Sequence, residues 1–355
     1  MPFGMLDTTY IDLPAGLDVA YIEGLRTRAG VEFPQLLQEI DSRLATFNGT
    51  IDPLLAMLLM TTTELFVDGS GPVAFQVEET GEYTIARPQM VEGQAHMLPI
   101  RKYDVALGIT EDGLDSMSLT KILENVDSIL LGLKRLYRKL ALKRLFSDAE
   151  VRIDIKTAVT SPGMAGSGTG TNVFARPYPD GQALPGGYTH YYRVASGGLA
   201  AGIKAARDRL KKWHKGPFDL IAPSTQIDAI AALPDFVSAG SALIRQGSGS
   251  AEALVDAATY VGVYDKDIRV HMAIEDTADP NIAIFKSYGN LAEQNALAWR
   301  YDEMTGRNAF LRSRETFPLA NAVVLQKLGI GVNNRVAATL IRVDAAGNYV
   351  EPNFA

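Results

Sequence analysis

The stretch SLTKILENVDSILLGLKRLYRKLALKRLF at residues 118–146 decides how the rest of the chain is read. Leu119, Ile122, Val126, Ile129, Leu133, Tyr137 and Leu140 recur every three or four positions, so a single apolar stripe runs its whole length. Ser118 offers a capping hydroxyl, and at 1.5 Å per residue the helix is roughly 43 Å long. Glu124 and Asp127 lie in its first half, while Lys134, Arg135, Arg138, Lys139, Lys143 and Arg144 crowd the second. That polarity complements the helix dipole. The basic end is either a solvated face or a contact surface.

Just before this helix, Phe75, Val77, Tyr83 and Ile85 alternate around the acidic turn Glu78-Glu79-Thr80-Gly81-Glu82, the pattern of a protruding hairpin. An isolated two-stranded hairpin is marginal in water, so an arm of this kind needs a surface to lie on. A second copy of the chain is the expected surface. The break Asp68-Gly69-Ser70-Gly71-Pro72 opens this region, and the alternation of Tyr103, Val105, Leu107 and Ile109 marks its last strand.

Upstream, residues 1 to about 30 hold Pro, Gly and scattered aromatics without a period, as an extended arm does. Leu36, Leu37, Ile40 and Leu44 then recur at helical spacing until Asn48-Gly49, and Pro53 to Phe66 is expected as a second short helix. Downstream, Val151 to Val159 suggests a strand, and Ser161 to Asn172 and Pro177 to Gly187 are Gly/Pro-rich loops. A helix is expected over Gly197 to Trp213, with Lys204, Arg207, Arg209, Lys211 and Lys212 on its polar side. Phe218 to Ala222 has the form of a buried strand leading into a helix at Thr225 to Leu233. Further strands are expected at Tyr260 to Tyr264, Ile268 to Ile274, Ile282 to Phe285 and Ala337 to Val343. Helices and strands are not in regular βαβ alternation, which makes the class α+β.

With 47% hydrophobic and 21% charged residues, the 355-residue chain has ordinary globular composition and room for two packed domains. Its formal net charge of -7 argues against a dedicated nucleic-acid binder held by phosphate contacts. It contains no cysteine, so neither disulfides nor thiolate metal sites hold it together. The N-terminal residues lack a secretory signal pattern, and the longest apolar run, Pro53 to Met60, is far too short to cross a bilayer. A soluble protein made inside the cell, with no membrane partner, is expected.

Catalytic patterns are weak. Gly166 to Thr171 has the glycines of a phosphate loop but not its lysine. His96, His190, His214 and His271 are scattered without a metal-binding spacing, no Gly-x-Ser-x-Gly elbow occurs, and acidic pairs such as Glu111-Asp112 and Glu275-Asp276 sit at turns. Tyr188, Tyr191, Tyr192 and Arg193 fit a protein interface better than base stacking in so acidic a chain. No catalytic residue, cofactor or metal is expected.

In the order of these pieces, together with Asn295-Ala296-Leu297-Ala298-Trp299-Arg300-Tyr301-Asp302 and Phe310 to Ala320, the chain resembles the major capsid proteins of tailed bacteriophages, with the Hong Kong ninety-seven-type fold. The resemblance lies in arrangement over nearly the whole chain and not in a sharp motif. It implies an N-terminal arm at 1–32, peripheral-domain helices at 33–66, an extended loop at 67–110 and a peripheral domain at 111–216 holding the spine helix. An axial domain at 217–294, peripheral return strands at 295–320 and an axial return at 321–355 complete the implied division.

The resemblance further implies a shell of hexamers and pentamers around double-stranded DNA, bound without sequence-specific contact, in a virion assembled in the host cytoplasm. Portal and scaffolding proteins, and a decoration protein, would be its other partners. Glu78, Glu79, Glu82 and Arg87 of the loop, and Arg135, Arg138 and Lys139 of the helix, are the implied inter-subunit contacts. Some relatives lock the shell with a Lys to Asn bond starting in the extended loop, yet residues 67–100 contain no Lys, so a non-covalent shell is expected. An encapsulin-type nanocompartment is the alternative within the fold, and an α+β enzyme with Gly/Pro-rich lids the alternative outside it.

Overall fold

The computed structural model describes residues 30–50, 52–68, 95–98, 100–110, 116–147, 151–152, 160–161, 191–239, 260–272, 281–304, 306–316 and 319–343. The helices are α1 (Phe33–Gly49), α2 (Pro53–Leu58), α3 (Leu119–Phe146), α4 (Leu199–Leu210) and α5 (Ser224–Ala231). The first nine strands are β1 (Leu59–Thr62), β2 (Phe66–Asp68), β3 (Ala95–Met97), β4 (Arg101–Thr110), β5 (Val151–Arg152), β6 (Thr160–Ser161), β7 (Tyr191–Val194), β8 (Phe218–Ala222) and β9 (Phe236–Ser238). The last seven are β10 (Tyr260–Tyr264), β11 (Ile268–Met272), β12 (Asn281–Phe285), β13 (Leu297–Tyr301), β14 (Phe310–Thr316), β15 (Leu319–Val332) and β16 (Ala338–Val343). This mixture of helix and sheet is the expected α+β class. Two compact units are formed, one from residues 1–52, 100–137 and 301–328, the other from 53–99, 138–300 and 329–355.

In the first unit β15 is the central strand of an antiparallel sheet, paired with β4 from Arg101 to Thr110 on one side and with β14 from Phe310 to Thr316 on the other. Helix α1 packs on β14 and buries Leu36, Ile40 and Leu44, the stripe its sequence spacing sets out. The end of α1 is fastened by a reciprocal amide pair: Asn48 donates from Nδ2 to the Ala309 carbonyl at 2.8 Å and accepts the Ala309 N–H at 3.0 Å. Helix α3 starts where Ser118 Oγ accepts the Lys121 N–H at 3.3 Å, and Ile122, Val126, Leu130 and Leu133 are buried along it.

The second unit is built on a seven-stranded mixed sheet in the order β7-β16-β12-β8-β11-β10-β9, in which β7/β16 and β8/β11 run parallel. Side chains alternate across it. Phe218, Leu220, Val270, Ile282, Ile284 and Ile341 turn to the face covered by α4, whose Leu199, Ile203, Ala206 and Leu210 complete one buried cluster. Each such side chain contributes about 1.5–3 kcal/mol of burial. Gly262 in β10 is a required glycine, because a Cβ there would lie 2.3 Å from the Val237 carbonyl of β9.

The segment expected as a helix from Pro53 to Phe66 is helical only to Leu58. It continues as β1, parallel to β13 from Leu59–Leu297 to Thr62–Arg300, and then as β2. The β-branched run Thr61-Thr62-Thr63 and the pairing offered by β13 outweigh the apolar run's helical pattern. Strand β2 pairs with β3 from Phe66–Met97 to Asp68–Ala95, so these two strands close the base of the 69–94 excursion. The hairpin expected inside that excursion lies outside the described residues. So do the arm at 1–29, most of the Val151 to Val159 strand and both Gly/Pro-rich loops.

Asn295 is fully buried and ties four segments of the second unit together. Its Nδ2 donates to the carbonyls of Leu59 at 2.9 Å and Gly289 at 3.1 Å, its Oδ1 accepts the Tyr288 N–H at 2.9 Å, and its own carbonyl accepts from Asn333 Nδ2 at 2.8 Å. Replacing Asn295 by Ala removes three side-chain hydrogen bonds, one of them to the buried Leu59 carbonyl, and should cost about 3 kcal/mol in urea unfolding. A loss below about 0.5 kcal/mol would show the hub to be dispensable.

Candidate functional site

Two basic helices differ in what their cations touch. On α4, Lys204 pairs with Asp235 at 3.3 Å, Arg207 with Asp265 and Asp208, and Lys211 with Asp267 at 2.6 Å. Arg209 lies over the Tyr192 ring, 5.7 Å from its centroid. Lys204, Arg207, Arg209 and Lys211 are thus engaged inside their own unit. Lys204 and Arg207 are correspondingly held above their usual pKa, Lys204 chiefly by its hydrogen bond to Asp235, Arg207 by its acid partners against an opposing desolvation that is the largest single influence.

On α3 the acidic first half is engaged: Asp127 pairs with Arg43 of α1, and Glu124 with Lys121 at 3.2 Å. In its second half, Arg135 is exposed and Lys134 and Lys139 are half-buried, and none of the three has an ion-pair partner among the described residues. Arg138 is already engaged within the chain. Leu131 is 50% exposed, one helical turn before Arg135 on the same face. Of the residues singled out as inter-subunit contacts, Arg135, Arg138 and Lys139 therefore share one helical segment. Glu78, Glu79, Glu82 and Arg87 lie outside the described residues.

A second polar centre escaped the sequence reading. On the sheet face turned away from α4, Asp219 of β8 is wholly buried, and Arg269 and His271 of β11 converge on it. Arg269 Nη2 donates to Oδ2 at 2.6 Å, and His271 Nε2 lies 3.0 Å from Oδ1. Tyr260 of β10 sits 5.6 Å from the His271 ring centre, and burial raises its phenol pKa. Lys286 lies near them, donating to the Pro217 carbonyl at 3.0 Å, and burial together with the Arg269 charge lowers its ammonium pKa. The parallel pairing Arg269–Asp219 brings these groups together across a gap in sequence that no local spacing betrays. Among the described residues no group of three or more His, Asp or Glu is placed to hold a metal ion.

No protein-family model matches the chain, and no curated protein matches its sequence. Solved structures do match it in fold. A chain of Mycobacterium phage Patience superposes with a TM-score of 0.62 at 18% identity, covering 92% of this chain and 93% of its own. A chain from the asymmetric unit of the bacteriophage PhiM1 mature capsid gives 0.51 at 8% identity, covering 84% and 89%. The chain thus shares its fold with a chain of a mature bacteriophage capsid.

The asymmetry of the Asp219 cluster orders two substitutions. Arg269→Ala leaves a fully buried carboxylate with His271 alone and should cost about 3 kcal/mol, whereas Asp219→Asn frees an arginine that can reach water and should cost about 1 kcal/mol. Urea unfolding of the two variants measures the order. Equal or reversed losses would mean that the pair is not what holds this face of the sheet.

Proposed function

We propose that this chain is a major capsid protein, a structural subunit that self-assembles into an icosahedral shell, and not a catalyst. The observation that carries the reading is the likeness in fold to the mature PhiM1 capsid chain along most of both chains. The β2/β3 pair, the long helix α3, and its Arg135 and Lys139, which have no ion-pair partner among the described residues, support it.

In this reading, 1–32 is the arm, 67–110 the extended loop over a neighbouring copy, 111–216 and 295–320 the peripheral domain, and 217–294 and 321–355 the axial domain. Hexamers and pentamers close the shell around double-stranded DNA, in the virion, after assembly in the host cytoplasm. Portal, scaffolding and decoration proteins are its further partners. Loop acids Glu78, Glu79 and Glu82 meet Arg135, Arg138 and Lys139 across a subunit boundary, with Arg87 beside them. Each exposed pair is worth at most about 1 kcal/mol, so apolar burial supplies most of the cohesion and the charges set register.

Purified protein should sediment as closed particles that dissolve in denaturing gels to one 38.4 kDa band, without covalent ladders. Reversing Arg135 and Lys139 to Glu, with Arg138 kept for its contact within the chain, should lower the yield of particles while leaving the subunit folded. Reversing Glu78, Glu79 and Glu82 to Lys in the same chain should restore it. A chain that stays monomeric at every concentration would overturn the shell reading, and an unrestored double reversal would overturn the pairing.

A further inference from the structure

Within the second unit, a cavity of about 460 Å³ adjoins the Asp219 cluster. Its described lining is of two kinds: Ala56, Met57 and Pro217 are apolar, whereas Tyr260, Arg269 and His271 carry polar groups. The volume falls in the range of small-molecule sites, and such a mixed lining suits a ligand with one charged end.

Arg269 determines the sign of that charge. Its Nη2 is bound by Asp219, which fixes the side chain, while neither the buried Nε nor Nη1 has a hydrogen-bond acceptor among the described residues. A guanidinium with a donor left over is matched by an oxyanion. Lys286 adds a second positive charge close enough for the two cations to oppose one another. A bound anion relieves that repulsion. A metal ion would instead meet Arg269 in front of Asp219, itself already shared between Arg269 and His271.

We infer that this cavity binds an organic carboxylate, with the oxyanion on Arg269 and an apolar body against Met57 and Pro217. The carboxylate comes either from a free small molecule or from an acidic side chain of a neighbouring copy of the chain. Binding by dissociated subunits tests the cavity whether or not the chain forms shells.

Ligand-detected NMR with sodium benzoate as probe and neutral benzamide as its uncharged counterpart provides the test. Subunits should bind benzoate in the millimolar range and benzamide far more weakly. Arg269→Gln and Met57→Trp should each weaken benzoate binding by about tenfold or more, while Lys121→Gln should not change it. Met57→Trp fills the apolar side and leaves the Arg269–Asp219 pair intact, so it decides the matter if Arg269→Gln fails to fold. No benzoate binding at tens of millimolar, equal binding of benzamide, or an unchanged affinity in Met57→Trp would overturn the inference. Repeating the titration on assembled particles assigns the source: retained binding points to a free small anion, and lost binding to a neighbour's acidic side chain already in place.

Discussion

Strand β15 is the constraint on which the first unit depends. It pairs with β4 at ten positions, from Leu319–Thr110 to Leu328–Arg101, and with β14 at seven. Strand β14 immediately precedes it as the other half of a hairpin, whereas β4 comes from a distant part of the chain, and closing that loop costs entropy. Once β4 is held, the chain on either side of it is fixed at one end. The β2/β3 pair precedes it in the chain and helix α3 follows it.

The distribution of charge separates what stabilises a unit from what is left for partners. The cations of α4 are met by Asp235, Asp265 and Asp267, which fasten the helix over the sheet whose core it covers. The exposed Arg135 of α3, beside the exposed Leu131, has no ion-pair partner among the described residues. A cation kept away from internal acids on a rigid helix is available to fix the register of an approaching surface, even though each exposed pair is weak. Asp219 shows the opposite arrangement: a carboxylate taken wholly out of water is tolerable only because Arg269 and His271 both reach it.

Much of this was legible in the sequence where periodicity was strong. The stripe from Leu119 to Leu140 marked α3, Leu36, Ile40 and Leu44 marked α1, and the short apolar runs at Phe218 to Ala222 and Tyr260 to Tyr264 marked two strands of the seven-stranded sheet. The run after Pro53 was misread because an apolar stretch of that length suits a helix or a buried strand, and β13, more than two hundred residues later, decides between them. The Asp219 cluster was invisible for a similar reason. Nothing near Asp219 in sequence signals Arg269 or His271, and only the β8/β11 pairing joins them. Asn295 stood in a stretch that the reading had singled out, but its role as a hydrogen-bond hub depends on Leu59, Gly289 and Asn333, which no local pattern connects.

The central claim is that the chain completes its fold against copies of itself, with the 69–94 excursion lent to a neighbour. A cryo-electron-microscopy reconstruction of the purified, assembled protein tests this most directly. The account predicts a closed shell in which density for residues 69–94 lies over an adjacent subunit. Density for that excursion folded back onto its own subunit, or images containing only isolated subunits, would contradict it.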